Sequence, residues 1–292
     1  MEVYSMNFAL GVILAFSAAF TWALTSVLSK VSMRRVSPLT LNFLRLVIAS
    51  GFYLPLIIYL NLIPSKGIMW WVIVVFSGII GFMIGDWLFL EGMKLLGVSR
   101  ANMLTTLHPI ITMVLAHYLL GRPLNAYLFL GAGLIILAVL LLLSEKSESG
   151  GINARGVLLV VVAELLWTIA ILITDWLVSN EPPVLIAALR ISSGILGGLP
   201  FLPKMWREIR KLRLGDMGLV FVISLLGTIV GQYLFIKSIS LVSSTVATPV
   251  TESTPIMASL LAVVFLREKI TSKLVASMML SFIGILIIGV LG

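Results

Sequence analysis

Residues 245–265 read TVATPVTESTPIMASLLAVVF, and residues 99–119 read SRANMLTTLHPIITMVLAHYL. Both are apolar enough to cross a bilayer, both carry a proline at the same place (Pro255 and Pro109), and they lie 146 residues apart. Only the later one holds a carboxylate, Glu252, set between Pro249 and Pro255. An ionised carboxylate in hydrocarbon is costly, so such a residue is expected to face protein or a water-filled cavity.

The rest of the chain is equally apolar. Of its 292 residues 60% are hydrophobic and 11% charged, with a mean hydropathy of +1.16, well outside the soluble globular range. An integral membrane protein is the reading. The chain has no cysteine, which excludes disulfides, thiol nucleophiles and thiolate metal sites together. The start, MEVYSMNFALG, lacks a cationic n-region and a small-residue cleavage site, so the first apolar segment is expected to be retained.

A spanning helix needs roughly 20 mostly apolar residues. That ruler predicts ten, at about 8–29, 39–60, 68–92, 101–120, 124–143, 156–178, 184–203, 217–237, 245–266 and 273–291. Most connections are short. SEKSESGGINAR (144–155) is a flexible polar linker near the middle, and PKMWREIRKLRLGD (203–216) is a basic stretch suited to a short surface helix.

The opening pair belongs to a longer repeat. A shift of 145 brings Gly11 onto Gly156, Trp22 onto Trp167, Pro38 onto Pro183, Arg45 onto Arg190 and Pro55 onto Pro200. A shift of 146 brings Gly81 onto Gly227, Gly85 onto Gly231, Phe89 onto Phe235, Leu95 onto Leu241 and Pro109 onto Pro255. The expected architecture is all-α, with ten transmembrane helices as two inverted five-helix repeats, 1–143 and 156–292, joined by the linker 144–155. Inversion follows because an odd number of spans returns the second copy to the membrane from the other side. Of the 20 Lys and Arg, fifteen fall in loops 1–2, 3–4, 5–6, 7–8 and 9–10, and three in the remaining loops; Arg45 and Arg190 are intramembrane. The bias predicts a cytoplasmic linker and both termini outside the plasma membrane. The net charge of +8 is then topology information and gives no support to nucleic-acid binding.

Glu252 sits about seven residues, or roughly 10 Å, inside its segment. Thr245, Thr248, Pro255 and Ser259 lie at helical spacing from it, one polar stripe. Each proline withholds a backbone donor, which membrane helices tolerate where protein or water replaces it. The stripe predicts a wet cavity; the alternative is a protonated Glu252 hydrogen-bonded between helices. The matching position in the first half is Thr106, near Ser99, Asn102 and Pro109, a polar but uncharged face. His108 falls on another face with Thr105 and Thr112, and suits either structural packing or a proton-linked role.

Glu164, Thr168, Ile171 and Asp175 form a second stripe beside Trp167. Glu164 is a cavity candidate and Asp175 reads as interfacial. The first segment instead presents Ser17, Thr21, Thr25 and Ser29 beside Trp22. Trp22 and Trp167 fall in mid-segment, as a pair lining the cavity from opposite copies. Arg45 and Arg190 have two readings: a structural one, snorkelling or binding carbonyls at a helix break, and a functional one, an anion clamp or a gate charge that pairs with a carboxylate in one state. Asp86 and Gln232 follow GFMIG and GTIVG, glycine spacings that permit close helix packing. Both are expected to reach the cavity, with Tyr233 beside Gln232 as a further candidate.

Several chemistries lack their motifs. There is no GxxxxGK[ST] phosphate loop, no HExxH, no GxSxG elbow, and the two histidines, His108 and His117, have no cysteine to join in a metal site. No cofactor, metal or catalytic residue is expected, and the chain is not read as an enzyme.

FTWALTSVLSK (20–30) resembles the first-helix Trp motif of the drug/metabolite transporter superfamily, EamA family, and SPLTLNFLRLVIAS (37–50) its second-helix Arg motif. GDWLFLEGMKLLGVSRANMLTTLHPIITMVLAHYLLG (85–121) and GQYLFIKSISLVSSTVATPVTESTPIMASLLAVVFLREKIT (231–271) resemble its most recognisable block. The first copy departs at GRPLN (121–125), where the family usually has an acidic residue corresponding to Glu268. The resemblance implies a central cavity, alternating access and transport of small metabolites, often export of amino acids or toxic compounds. Combined with the residues above, it yields a secondary transporter in which Glu252, then Glu164, binds substrate amine or a coupling proton. An uncoupled facilitator is the close alternative, and an intramembrane enzyme a remote one. The partners expected are a small-molecule substrate, protons and the lipid bilayer; a monomer suffices, with a dimer as the variant.

Overall fold

Helix ends in this chain are set by local chemistry. Ser37 caps α2 (Pro38–Tyr59), its hydroxyl accepting the Thr40 N–H at 3.3 Å, while Pro38 occupies the first helical position, where a missing N–H costs nothing. Asn153 caps α7 (Ala154–Val178) through the Gly156 N–H at 2.9 Å. The computed structural model describes all residues except Met1, Pro109, Thr112, Met113, Ala116, His117, 119–125, 145–152 and Gly292; the side chains of 2–5, Leu143, Thr245 and 288–291 are likewise outside the description. The GRPLN turn, most of the central linker, His117, Thr112 and Pro109 therefore lie outside the described residues.

The remaining elements, in chain order, are α1 (Glu2–Ser32), α3 (Ile68–Gly78), π1 (Ile79–Gly85), α4 (Asp86–Leu96), α5 (Val98–Leu104), a 3₁₀ turn (Thr105–Leu107), α6 (Ala126–Leu143), α8 (Pro183–Gly198), a 3₁₀ turn (Leu199–Phe201), α9 (Leu202–Ile209), α10 (Leu214–Ile223), π2 (Ser224–Gly231), α11 (Gln232–Val242), α12 (Ser244–Thr251), α13 (Thr254–Leu266) and α14 (Ser272–Leu291). All regular structure among the described residues is helical. Seven described helices are long and apolar enough to cross a membrane, and shorter apolar runs lie at Ala126–Leu142 and Ser272–Ile287. The chain is a multi-pass membrane protein, its outer surface rich in exposed Leu, Phe, Ile and Val as contact with lipid requires.

The third and eighth segments are not uniform α-helices. α3 passes through π1 into α4, and α10 passes through π2 into α11. π1 and π2 hold the glycine pairs Gly81/Gly85 and Gly227/Gly231. In the wider π turn the Gly81 carbonyl accepts from the Asp86 N–H and the Gly227 carbonyl from the Gln232 N–H, five residues on.

α6 and α14 pack on each other, while α1, α7 and the segments containing π1 and π2 form the middle of the bundle. Two apolar clusters fill it, one around Phe43, Tyr53, Phe82 and Ile236, the other around Leu41, Met93, Met103 and Leu104. Between them lies a stripe of buried polar residues.

Candidate functional site

That stripe surrounds a cavity of about 170 Å³. Its walls come from the first, third, fourth, sixth, eighth and ninth segments, with Arg45 from the second and Arg190 from the seventh. Of the candidates, Trp22, Arg45, Asp86, Asn102, His108, Glu164, Trp167, Arg190, Gln232, Thr248 and Glu252 line it.

One end is built on the two π segments. Trp167 Nε1 donates to the Gly81 carbonyl at 3.2 Å and to Asp86 Oδ1 at 2.9 Å. Trp22 Nε1 donates to the Gly227 carbonyl at 3.2 Å. Each indole thus reaches the π segment of the other half of the chain. A Cβ at Gly85 would stand 2.8 Å from Trp167 Nε1, and one at Gly231 would stand 2.9 Å from Trp22 Nε1, so both glycines are needed for the approach. Phe235 meets Trp22 edge-on at 5.1 Å and Phe89 meets Trp167 at the same centroid distance. Phe89 and Phe235 line the cavity as well, although nothing in their own segments marks them as cavity residues. Their match across the repeat, three residues after Asp86 and Gln232, is the signal that would have found them.

The arginines belong to this end. Arg45 donates from Nε to Thr228 Oγ1 at 3.2 Å and lies 3.5 Å from Asp86 Oδ2. Arg190 donates from Nε to Ser77 Oγ at 3.0 Å and its guanidinium sits 5.0 Å over the Phe82 ring. Among the described residues neither guanidinium bonds a carbonyl, and Arg45 pairs with a carboxylate. The two halves differ here: Asp86 supplies a charge where Gln232 supplies an amide.

At the other end His108 Nδ1 lies 3.1 Å from Glu164 Oε2, both side chains buried. Glu252 is buried and within electrostatic reach of both. His108 Nε2, Glu164 Oε1 and the Thr248 hydroxyl have no hydrogen-bond partner among the described residues. Buried polar atoms in that state are costly unless something else engages them.

The helical-stripe reading fails locally in the fourth segment. Thr106 does not line the cavity: its hydroxyl donates to the Met103 carbonyl at 2.8 Å and meets Ser281 Oγ at 3.3 Å. The cause is a 3₁₀ turn at Thr105–Leu107, which has three residues per turn and so aligns Asn102, Thr105 and His108 on one face. In the ninth segment the break falls at Glu252 and Ser253, between α12 and α13, and Thr248, Thr251, Glu252 and Thr254 line the cavity while Pro255 and Ser259 do not. Prolines there do not leave open carbonyls throughout: Thr254 Oγ1 donates to the Thr251 carbonyl at 2.7 Å, the one Pro255 cannot serve. Tyr233 also lies off the cavity, 38% exposed on the outward side of α11, while its neighbour Gln232 points in. Thr21 turns away to its own helix, donating to the Ala18 carbonyl, and Ser26 takes a place on the wall instead.

Asp175 is spent on structure. It accepts the Ser244 N–H at 3.0 Å and the Ser244 hydroxyl, capping α12. Glu268 does the same for α5, accepting from the Val98 N–H at 2.8 Å, the Ser99 N–H at 3.1 Å and the Ser99 hydroxyl at 2.7 Å. Lys30 reaches the end of α4, donating to the carbonyls of Met93 and Lys94, each at 3.0 Å.

The model of the EamA-like transporter family matches residues 9–144 and again residues 154–290. An uncharacterized transporter of Archaeoglobus fulgidus is 26% identical over 283 residues, covering 96% of this chain and 98% of its own length. A second uncharacterized transporter of that organism is 25% identical over 284 residues, 95% of this chain and 97% of the relative. A crystal structure with 18% sequence identity superposes over 97% of this chain and 99% of its own at a TM-score of 0.61, a likeness of fold.

Proposed function

The chain belongs to the EamA-like transporter family, and from that premise we propose that it is a secondary transporter, an exporter of small metabolites such as amino acids or related compounds. It crosses the plasma membrane ten times as two inverted five-helix repeats, 1–143 and 156–292, with a cytoplasmic linker at 144–155 and both termini outside. The repeats rock about the cavity to expose it to one side and then the other. Support for the repeat comes from the crosswise indole bonds, Trp22 to Gly227 and Trp167 to Gly81, both 3.2 Å. Two equivalent contacts of equal length are what a pseudo-twofold axis between the halves produces.

The observation that carries the transport site is the buried group of His108, Glu164 and Glu252 in that cavity, with polar atoms that no described protein group engages. Glu252, with Glu164 second, takes the substrate amine or the coupling proton, and loss of one cation accompanies gain of the other. Glu164 and Glu252 come from the second half and Asp86 from the first, with His108, Gln232 and the arginines unevenly placed among them, so the cavity offers the substrate different groups from the two halves.

Purified protein is first screened by thermal shift against amino acids, nucleosides, sugars and cationic amines, since a ligand of the native state stabilises it in proportion to occupancy. The stabilising compound is then followed in proteoliposomes. Transport by Glu252→Gln is expected to be slowed and to lose its pH dependence. A wild-type rate with unchanged pH dependence sinks the coupling role, and downhill flux with no accompanying pH change reassigns the protein to facilitated diffusion.

A further inference from the structure

α9 and the turn after it stand outside the cavity and take no part in the transport site. Met205 is wholly buried, and Ile209 packs on both apolar clusters, so this face holds the helix to the bundle. The neighbouring face is open: Trp206 is 55% exposed and Leu214, at the start of α10, is 90% exposed, with Phe201 and Leu202 also exposed. Between these apolar side chains stand Arg207, Arg210 and Lys211, all exposed and without a side-chain hydrogen bond or ion pair among the described residues.

The acids of the same stretch are turned elsewhere. Glu208 Oε2 accepts the Ser37 N–H at 3.0 Å, tying α9 to the start of α2. Asp216 accepts the Arg213 N–H at 3.1 Å through Oδ2 and lies 3.7 Å from Arg35 Nε through Oδ1. Loop topology accounts for the sign of the stretch. It does not account for an anchored helix whose one acid, Glu208, is bonded to the start of α2 while Arg207, Arg210 and Lys211 are left uncompensated beside an exposed indole.

We propose that residues 201–214 form a binding surface for anionic lipid, the headgroup phosphate held by Arg207, Arg210 and Lys211 and the acyl boundary met by Trp206 and Leu214. Cations interleaved with large apolar side chains on a helix at the end of a spanning segment fit a partner that carries both a negative charge and a hydrocarbon tail. A soluble anion satisfies the first requirement only. Met205 and Glu208 hold the helix in place, so binding orders the three cationic side chains and not the backbone beneath them.

The test compares wild-type protein with the R207Q/R210Q/K211Q variant in nanodiscs of phosphatidylcholine alone and with added phosphatidylglycerol. Phosphatidylglycerol is expected to raise the wild-type Tm by about 2–4 °C or more, the scale of about 1 kcal/mol in a chain of this size, and to leave the variant unmoved. Equal Tm values of the two proteins in phosphatidylcholine alone show that the variant folds. The wild type provides a second readout that needs no variant, because its phosphatidylglycerol shift must shrink as salt is added. The proposal is overturned if both proteins gain equally, if neither gains, if the wild-type shift ignores salt, or if inorganic phosphate in phosphatidylcholine nanodiscs reproduces it.

Discussion

Ser243 holds φ 64° and ψ 167°, a conformation open to glycine and strained for other residues. Its counterpart, 146 residues earlier, is Gly97 at φ 91°. Both precede the helix that brings cavity groups inward, so the backbone demands this geometry in each half. Gly97→Ala is therefore expected to lower stability by about 1 kcal/mol or more, since an L side chain is strained at that φ and its Cβ would also stand 3.1 Å from Glu268 Oε1; an unchanged Tm in detergent sinks the idea. The His108–Glu164 pair makes a separate prediction. A double-mutant cycle with His108→Leu and Glu164→Gln, read by thermal unfolding, should show coupling of about 1 kcal/mol, whereas additive effects mean that the two do not interact. Glu164 and Glu252 were legible as cavity groups because a carboxylate deep in an apolar segment is tolerated only where protein or water engages it. The choice between Thr105 and Thr106 was not, since both are threonines and the local turn decides which one faces in.

At the scale of the element, the two acidic caps and the two π segments govern where the cavity side chains stand. Glu268, at the turn between α13 and α14, is bonded to the first turn of α5. That helix leads to Asn102 and His108, so the turn that departs from the family in the first half does structural service in the second. Glu268→Ala should cost about 1–2 kcal/mol, the usual worth of an N-cap with charge-assisted bonds, and an unchanged Tm would show that the cap is redundant. The π segments depend on bare glycines. Gly231→Leu should displace Trp22 from the Gly227 carbonyl and abolish ligand stabilisation, while Gly51→Ala, with nothing within 4 Å of its new Cβ, serves as the neutral control. GFMIG and GTIVG read as packing motifs from spacing alone. Their π form was illegible: the carbonyl at each bulge also accepts from an indole of the other half, a partner that lies 86 residues away for Gly81 and 205 for Gly227.

For the whole molecule, the proposed orientation makes a prediction that the absence of native cysteine renders clean. A single cysteine at Gly215, exposed beside the basic stretch and with nothing within 4 Å of an added Cβ, should react with an impermeant thiol reagent only when the cytoplasmic side is accessible. A cysteine at exposed Ser65, in the loop between α2 and α3, should react from outside. The opposite pattern would invert the assignment drawn from loop charge.

The sequence by itself determined the membrane class, the repeat and the family, because each is a property of composition and order along the chain. A span must be apolar along its length, and a duplicated unit keeps its Trp, Arg and Pro at a fixed offset. Tertiary structure decided which polar side chains share the cavity, that Arg45 pairs with Asp86, that Asp175 and Glu268 are spent on caps, and that Thr106 and Tyr233 stand elsewhere. The physical reason is local helix geometry. A π segment or a 3₁₀ turn rotates everything beyond it relative to an ideal α-helix, and at π1 and π2 the carbonyl at the bulge is bonded by an indole from the other half.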